Sequence, residues 1–106
     1  MFTATIVTED PNKGQINNAG ELKDHYEINV PYNSDIKRNN DEVTLHNGQY
    51  PCTFQALPKA GSNYIFDTWV FDPATFKVKG NVTITAKFKE TTSTDVTVYF
   101  DSATPN

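Results

Sequence analysis

Seven consecutive residues, Val82-Thr83-Ile84-Thr85-Ala86-Lys87-Phe88, alternate apolar and polar side chains without a break. That is the period of a β-strand with one face in a core and the other in water, and a helix would scatter the same apolar groups around its axis. Upstream, Tyr64-Ile65-Phe66-Asp67-Thr68-Trp69 places Tyr64 and Phe66 on one strand face and holds the only tryptophan. Prolines and glycines recur through the first 80 residues and cut the chain into short intervals rich in Thr, Val, Ile, Phe and Tyr. Such intervals suit strands and leave no room for a long helix.

The expected fold is therefore all-β or mostly β, in one small domain. Strands are predicted at Phe2 to Thr8, Tyr26 to Val30, Glu42 to His46, Cys52 to Leu57, Tyr64 to Phe66 running on toward Phe71, Val82 to Phe88, and Val96 to Phe100. Turns are predicted at Asp10-Pro11-Asn12-Lys13-Gly14, Asn47-Gly48 and Gly80-Asn81, where Pro presets one dihedral and Asn or Gly accepts the left-handed region. One helical turn has a place to form, Ala19 to Asp24, weakened by Gly20. The core is expected to hold Ile6, Ile28, Val30, Phe54, Phe66, Trp69, Val82, Ile84 and Phe88.

At 106 residues the chain has the size of one globular unit. Nine basic against 13 acidic residues give a formal charge of -4. The cations are scattered, with Lys37-Arg38 the one adjacent pair, which argues against nucleic acid as a partner. No apolar run approaches the ~20 residues that span a bilayer, so no membrane insertion is expected, and the N-terminus lacks the pattern of a signal peptide. Export would need a signal outside this chain. Cys52 is alone, so no intrachain disulfide can form, and its place in Cys52-Thr53-Phe54-Gln55-Ala56 predicts a buried structural thiol.

The order Tyr64-x-Phe66-x-x-Trp69, a polar loop, then Val82-x-Ile84-x-Ala86-Lys87-Phe88 resembles the closing half of the internalin-type B repeat, a β-rich unit strung along bacterial cell-surface proteins. The resemblance covers roughly residues 3 to 90. It takes in the opening strand Thr3 to Thr8, Gly14-Gln15-Ile16 where the repeats begin their second strand, and Ile28-Asn29-Val30-Pro31-Tyr32-Asn33. Asn33 stands where these repeats carry Gly, and Asn is the next best residue for a positive φ. Val43-Thr44-Leu45 and Cys52 to Pro58 resemble the central strands, while Thr68 replaces a usual Gly before Trp69. The family implies a twisted, β-grasp-like mixed or antiparallel sheet, with Phe54, Tyr64, Phe66, Trp69, Val82, Ile84 and Phe88 as its structural core motif. An immunoglobulin-like sandwich is the alternative fold.

Residues 91-106 read as a polar connector, Glu90-Thr91-Thr92-Ser93-Thr94, leading to Val96-Thr97-Val98-Tyr99-Phe100. This segment either completes the domain's own sheet or starts a next repeat, since its tail ends in Pro105-Asn106 as the first strand runs to Pro11-Asn12. Val96, Val98, Tyr99 and Phe100 are the candidate contact residues.

No constellation for catalysis, metal or cofactor emerges. His25 and His46 lack spaced ligand partners, and Glu9-Asp10, Asp41-Glu42, Asp67 and Asp72 lack the dense acidic spacing of a calcium loop. Asn81-Val82-Thr83 matches a glycosylation acceptor with no further support. The expected function is a non-catalytic structural or adhesion module on a bacterial surface, acting by spacing or protein contact, its partners being neighbouring repeats, a host surface protein or, in a virion, the capsid or a second copy of the chain. The alternative is a phage virion accessory domain, on a head or fibre. Third is a carbohydrate-binding module using Tyr32, Tyr50, Trp69 and Phe71 as a ring platform.

Overall fold

The computed structural model describes residues 1-47 and 50-91. They form nine strands and no helix: β1 (Phe2–Thr8), β2 (Gly14–Asn18), β3 (Glu21–Lys23), β4 (His25–Val30), β5 (Lys37–Asn39), β6 (Glu42–Asn47), β7 (Tyr50–Pro58), β8 (Tyr64–Asp72) and β9 (Val82–Glu90). Two sheets result. One has four strands in the order β4-β1-β9-β8, the other five in the order β3-β2-β7-β6-β5.

The four-stranded sheet is mixed. β1 pairs with β9 in parallel, Ala4 beside Val82 and Thr8 beside Ala86, while β4 and β8 flank them antiparallel. The immunoglobulin alternative uses antiparallel sheets, and this parallel centre sets the molecule apart from it. The alternation read in the sequence is what fills the core. Val82, Ile84, Ala86 and Phe88 of β9 and Ala4 and Ile6 of β1 are buried, while Thr83 and Lys89 face solvent. Each large side chain removed from water in this way stabilises by about 1.5–3 kcal/mol.

From the five-stranded sheet come Ile16, Val43, Leu45, Phe54 and Ala56, which join the same core cluster, and Ile36 and Val78 complete it from connecting segments. The sheets meet at Gly14. A Cβ there would lie 2.4 Å from Cζ of Phe88 and 2.6 Å from the Leu57 carbonyl oxygen, so only glycine lets β2 approach both. Beside it Thr8, the one buried polar side chain among the described residues, donates its hydroxyl to the Gly14 carbonyl at 2.8 Å.

Several expectations are corrected. Ala19 to Asp24 is no helical turn: Ala19 and Gly20 have φ of 53° and 89° and form the two-residue link of the β2–β3 hairpin, because paired positive φ values match the twist of strands, not a helix. Cys52 is half-buried, since it lies near the outer end of β7, beyond the packed Phe54 and Ala56. Ile28 and Phe66 are half-buried as well, each on an edge strand with a neighbour on one side alone. Asn33 does take the positive φ, at 69°. The Asp10 turn closes through Lys13 N–H and Gly14 N–H on the Asp10 carbonyl, and Asn81 caps the start of β1 by accepting the Thr3 N–H at 2.9 Å. The predicted turn at Asn47-Gly48 falls partly, and the strand at Val96 to Phe100 wholly, outside the described residues.

Candidate functional site

The long edge strand β8 carries the aromatic motif, and a bulge explains its spacing. Phe66 faces Phe88 and Trp69 faces Ala86, so Asp67 and Thr68 together oppose the single Lys87. The extra residue shifts the alternation by one and returns Trp69 to the face that Phe66 occupies. The two rings meet at 5.4 Å, and Phe66 sets its edge against Phe88 at 6.4 Å. Thr68 sits in a bulge of an extended strand with no positive φ, so its side chain is accommodated there.

Trp69 is 5% exposed, and its indole N–H donates to the Asn40 carbonyl at 3.2 Å. Asn40 holds φ of 56° at the tip of the β5–β6 hairpin. A buried indole needs such a partner, and the bond ties the edge of one sheet to the hairpin of the other. On either side of Trp69 lies a hollow. One, of about 330 Å³, is bounded by Asn40, Phe66 and Asp67; the other, of about 360 Å³, by Phe71, Thr75 and Phe76; Arg38 and Thr68 border both.

Arg38 crosses this surface. Its guanidinium carbon sits 4.8 Å from the Phe76 ring centre and 5.7 Å from that of Phe71, and the two rings pack edge-on at 5.9 Å. Stacking on aromatic faces holds a guanidinium in place while leaving its N–H edge available. Among the described residues no carboxylate lies within 4.0 Å of it; the ion pairs there join Lys23 to Glu21, Lys77 to Asp35, Lys87 to Glu9 and Lys89 to Asp67. Phe76 is 59% exposed.

β8 also has an open side. The Ala86 carbonyl accepts the Glu9 N–H, so the backbone of Ala86 faces β1. Trp69, opposite Ala86, and Phe71, opposite Ile84, therefore turn their N–H and C=O groups away from β9. No backbone group of the described residues pairs with them.

Of the residues read as the core motif, Phe54, Trp69, Val82, Ile84 and Phe88 are buried, and Tyr64 and Phe66 are half-buried against the same cluster. The contact residues Val96, Val98, Tyr99 and Phe100 lie outside the described residues. The four rings considered as a sugar platform are not one cluster. Trp69 is buried, Tyr32 packs on Phe2 with the Lys79 ammonium 5.1 Å from its ring, and Phe71 packs on Phe76, while Tyr50 stands exposed on β7. Sequence reasoning registered Arg38 as half of a basic pair and passed over Phe76, because nothing in a sequence places a hairpin residue beside a loop aromatic 38 positions away.

Two titrating groups are displaced. The Lys77 ammonium, hydrogen-bonded to Asp35 at 2.8 Å, holds that carboxyl below its ordinary 3.8. Burial, reinforced by Glu21, pushes the Tyr26 hydroxyl up. Neither lies in the Arg38 surface. Among the described residues no group of three or more His, Cys, Asp or Glu could hold a metal ion, and no helix is long and apolar enough to cross a membrane. Comparison with protein-family models, with curated proteins and with solved structures gives no match to this chain.

Proposed function

We propose that this domain is a non-catalytic spacer and contact module, one unit of a tandem array carried on a bacterial surface. The observation that carries the reading is the parallel pairing of the first and last described strands. Ala4 lies beside Val82, so Phe2 is level with position 80, and the chain leaves at Glu90 roughly 33 Å further along the strand direction at ~3.3 Å per residue. A unit entered at one end and left at the other can be strung head to tail, each copy advancing the chain.

The sequence supplies the second support. With an offset of 94, three residues of the segment 96-106 repeat the segment 2-12, Thr97 on Thr3 and Pro105-Asn106 on Pro11-Asn12, and the apolar Val98 and Phe100 fall on the buried Ala4 and Ile6. β1 is an interior strand, paired on both sides. A segment of the same pattern, arriving after β9, is suited to the interior of a following sheet. The connector of hydroxyl residues between the two is short, which limits how far neighbouring units can separate.

The test is small-angle scattering on residues 1-95 followed by a second copy of residues 2-91, compared with residues 1-91 alone. The tandem reading predicts that the maximum dimension grows by roughly one unit length, 30 Å or more. Two units folding side by side, with little growth in that dimension, would contradict it.

A further inference from the structure

We infer that the stretch of β8 beyond its bulge, Thr68 to Asp72, is a docking edge for an extended segment of another polypeptide, one that carries a single carboxylate two positions from an apolar side chain. This does not depend on the tandem reading, since it concerns a lateral edge and not the ends of the unit.

The backbone supplies the first half of the recognition. Trp69 and Phe71 turn two N–H groups and two carbonyls to a side of β8 where no backbone group of the described residues pairs with them, the Trp69 carbonyl meeting only a long 3.4 Å hydrogen bond from the Thr68 hydroxyl; this is the row that an added strand pairs with. The edge is guarded unevenly. Before Trp69, the bulge and the exposed Asp67 carboxylate interrupt pairing; after it the edge runs regularly to Asp72, where Pro73 ends the strand. Val70, 42% exposed, offers apolar contact on the outer face of this stretch.

The side chains supply the second half. A strand laid along Trp69 to Phe71 directs alternate residues toward the face where the Trp69–Phe76 hollow lies, and its 360 Å³ has room for one apolar side chain. Arg38 borders the same hollow, so a carboxylate on the next residue of that face, about 7 Å along the strand, falls within reach of its long side chain. Arg38 is already oriented by Phe71 and Phe76, so little side-chain freedom is lost when a carboxylate accepts from its planar N–H edge. The chain's overall charge of -4 repels a run of acids, so the surface favours one carboxylate and not an acidic tract.

The probe is the acetylated, amidated peptide Thr-Val-Leu-Thr-Asp-Val-Thr, with an analogue in which its aspartate is replaced by asparagine, each titrated into the protein while backbone amide and indole resonances are followed. Saturable shifts are expected at the Trp69 and Phe71 amides and the Trp69 indole, with affinity falling about tenfold for the asparagine peptide and for Arg38→Gln. Phe76→Ala, at an exposed loop position, is expected to weaken binding by removing one wall of the hollow while the fold is retained, the lost Phe71 contact lowering the melting temperature only modestly. Equal binding of both peptides, equal binding by Arg38→Gln, or shifts confined to the other face of the molecule would overturn the inference. So would broadening at Trp69 and Phe71 that grows with protein concentration without peptide, since a second copy would then hold the edge.

Discussion

The two sheets end differently. The five-stranded sheet is closed off on both sides by three-residue strands, Glu21-Leu22-Lys23 and Lys37-Arg38-Asn39, whose side chains are all exposed and mostly charged or polar. The four-stranded sheet ends on one side in β8, nine residues long, with Ile65 and Val70 on its outer face. Short charged edges offer an incoming strand few backbone groups to pair with. A nine-residue edge offers many, and β8 interrupts the row once, at Asp67. The contrast teaches that edge protection among the described residues is local: one sheet is finished by shortness and charge, the other is guarded over part of an edge and unpaired by any described strand over the rest.

Trp69→Ala attacks the joint between the two regimes. It removes a ring packed on Phe66 and leaves the Asn40 carbonyl without its indole donor, so a loss of about 3–5 kcal/mol is expected in denaturant unfolding. That is a large part of the ~5–15 kcal/mol typical of such domains. Gly14→Ala presses on the seam where the sheets meet. Because the Leu57 carbonyl is backbone and cannot swing away, overpacking should cost about 1–3 kcal/mol. An unchanged melt would mean the sheets are free to part there.

At the finished edge the effects are smaller and one has the opposite sign. Ala19 holds φ of 53° in the β2–β3 turn, a conformation that strains a side-chain-bearing residue by about 1–2 kcal/mol. Ala19→Gly should relieve it and, after the entropy glycine adds to the unfolded chain, leave a net gain of roughly 0.5 kcal/mol, read as a slightly raised melting temperature. Smallest is the Asp35–Lys77 pair, which helps fasten the loop carrying Phe76 to the segment before β5. Its carboxyl titrates below 3.8 when folded, so its contribution is present above that pH and is lost as the pH falls through the lowered value. Asp35→Asn should melt slightly lower than the parent at pH 6, and the two should draw together as the pH falls below 3.8 and through the lowered value.

Much of this fold was legible because strand periodicity is a local signal. β1 and β9 fall at their predicted starts, and the alternation of β9 became a buried row. The three-residue strands were not legible. Lys37 to Asn39 is a strand only because β6 lies beside it, and nothing apolar marks it. Ala19-Gly20 misled because alanine favours helix intrinsically, whereas here the pairing of Asn18 with Glu21 dictates the backbone. The motif Tyr64-x-Phe66-x-x-Trp69 was visible as a pattern, but its meaning, a bulge that re-aims the indole, needed the register against β9. The Arg38 surface was the least visible, since it is assembled from a hairpin, an edge strand and a loop that no local rule brings together.

The contrast between guarded and open edge is tested most directly by hydrogen exchange, residue by residue, along β8 in dilute protein. Val70, opposite Thr85 in the ladder, should be protected close to the level of β9, while the amides of Trp69 and Phe71 on either side of it exchange rapidly. Uniform slow exchange across Trp69, Val70 and Phe71 would contradict the account, for it would mean that the outer groups of β8 are already paired.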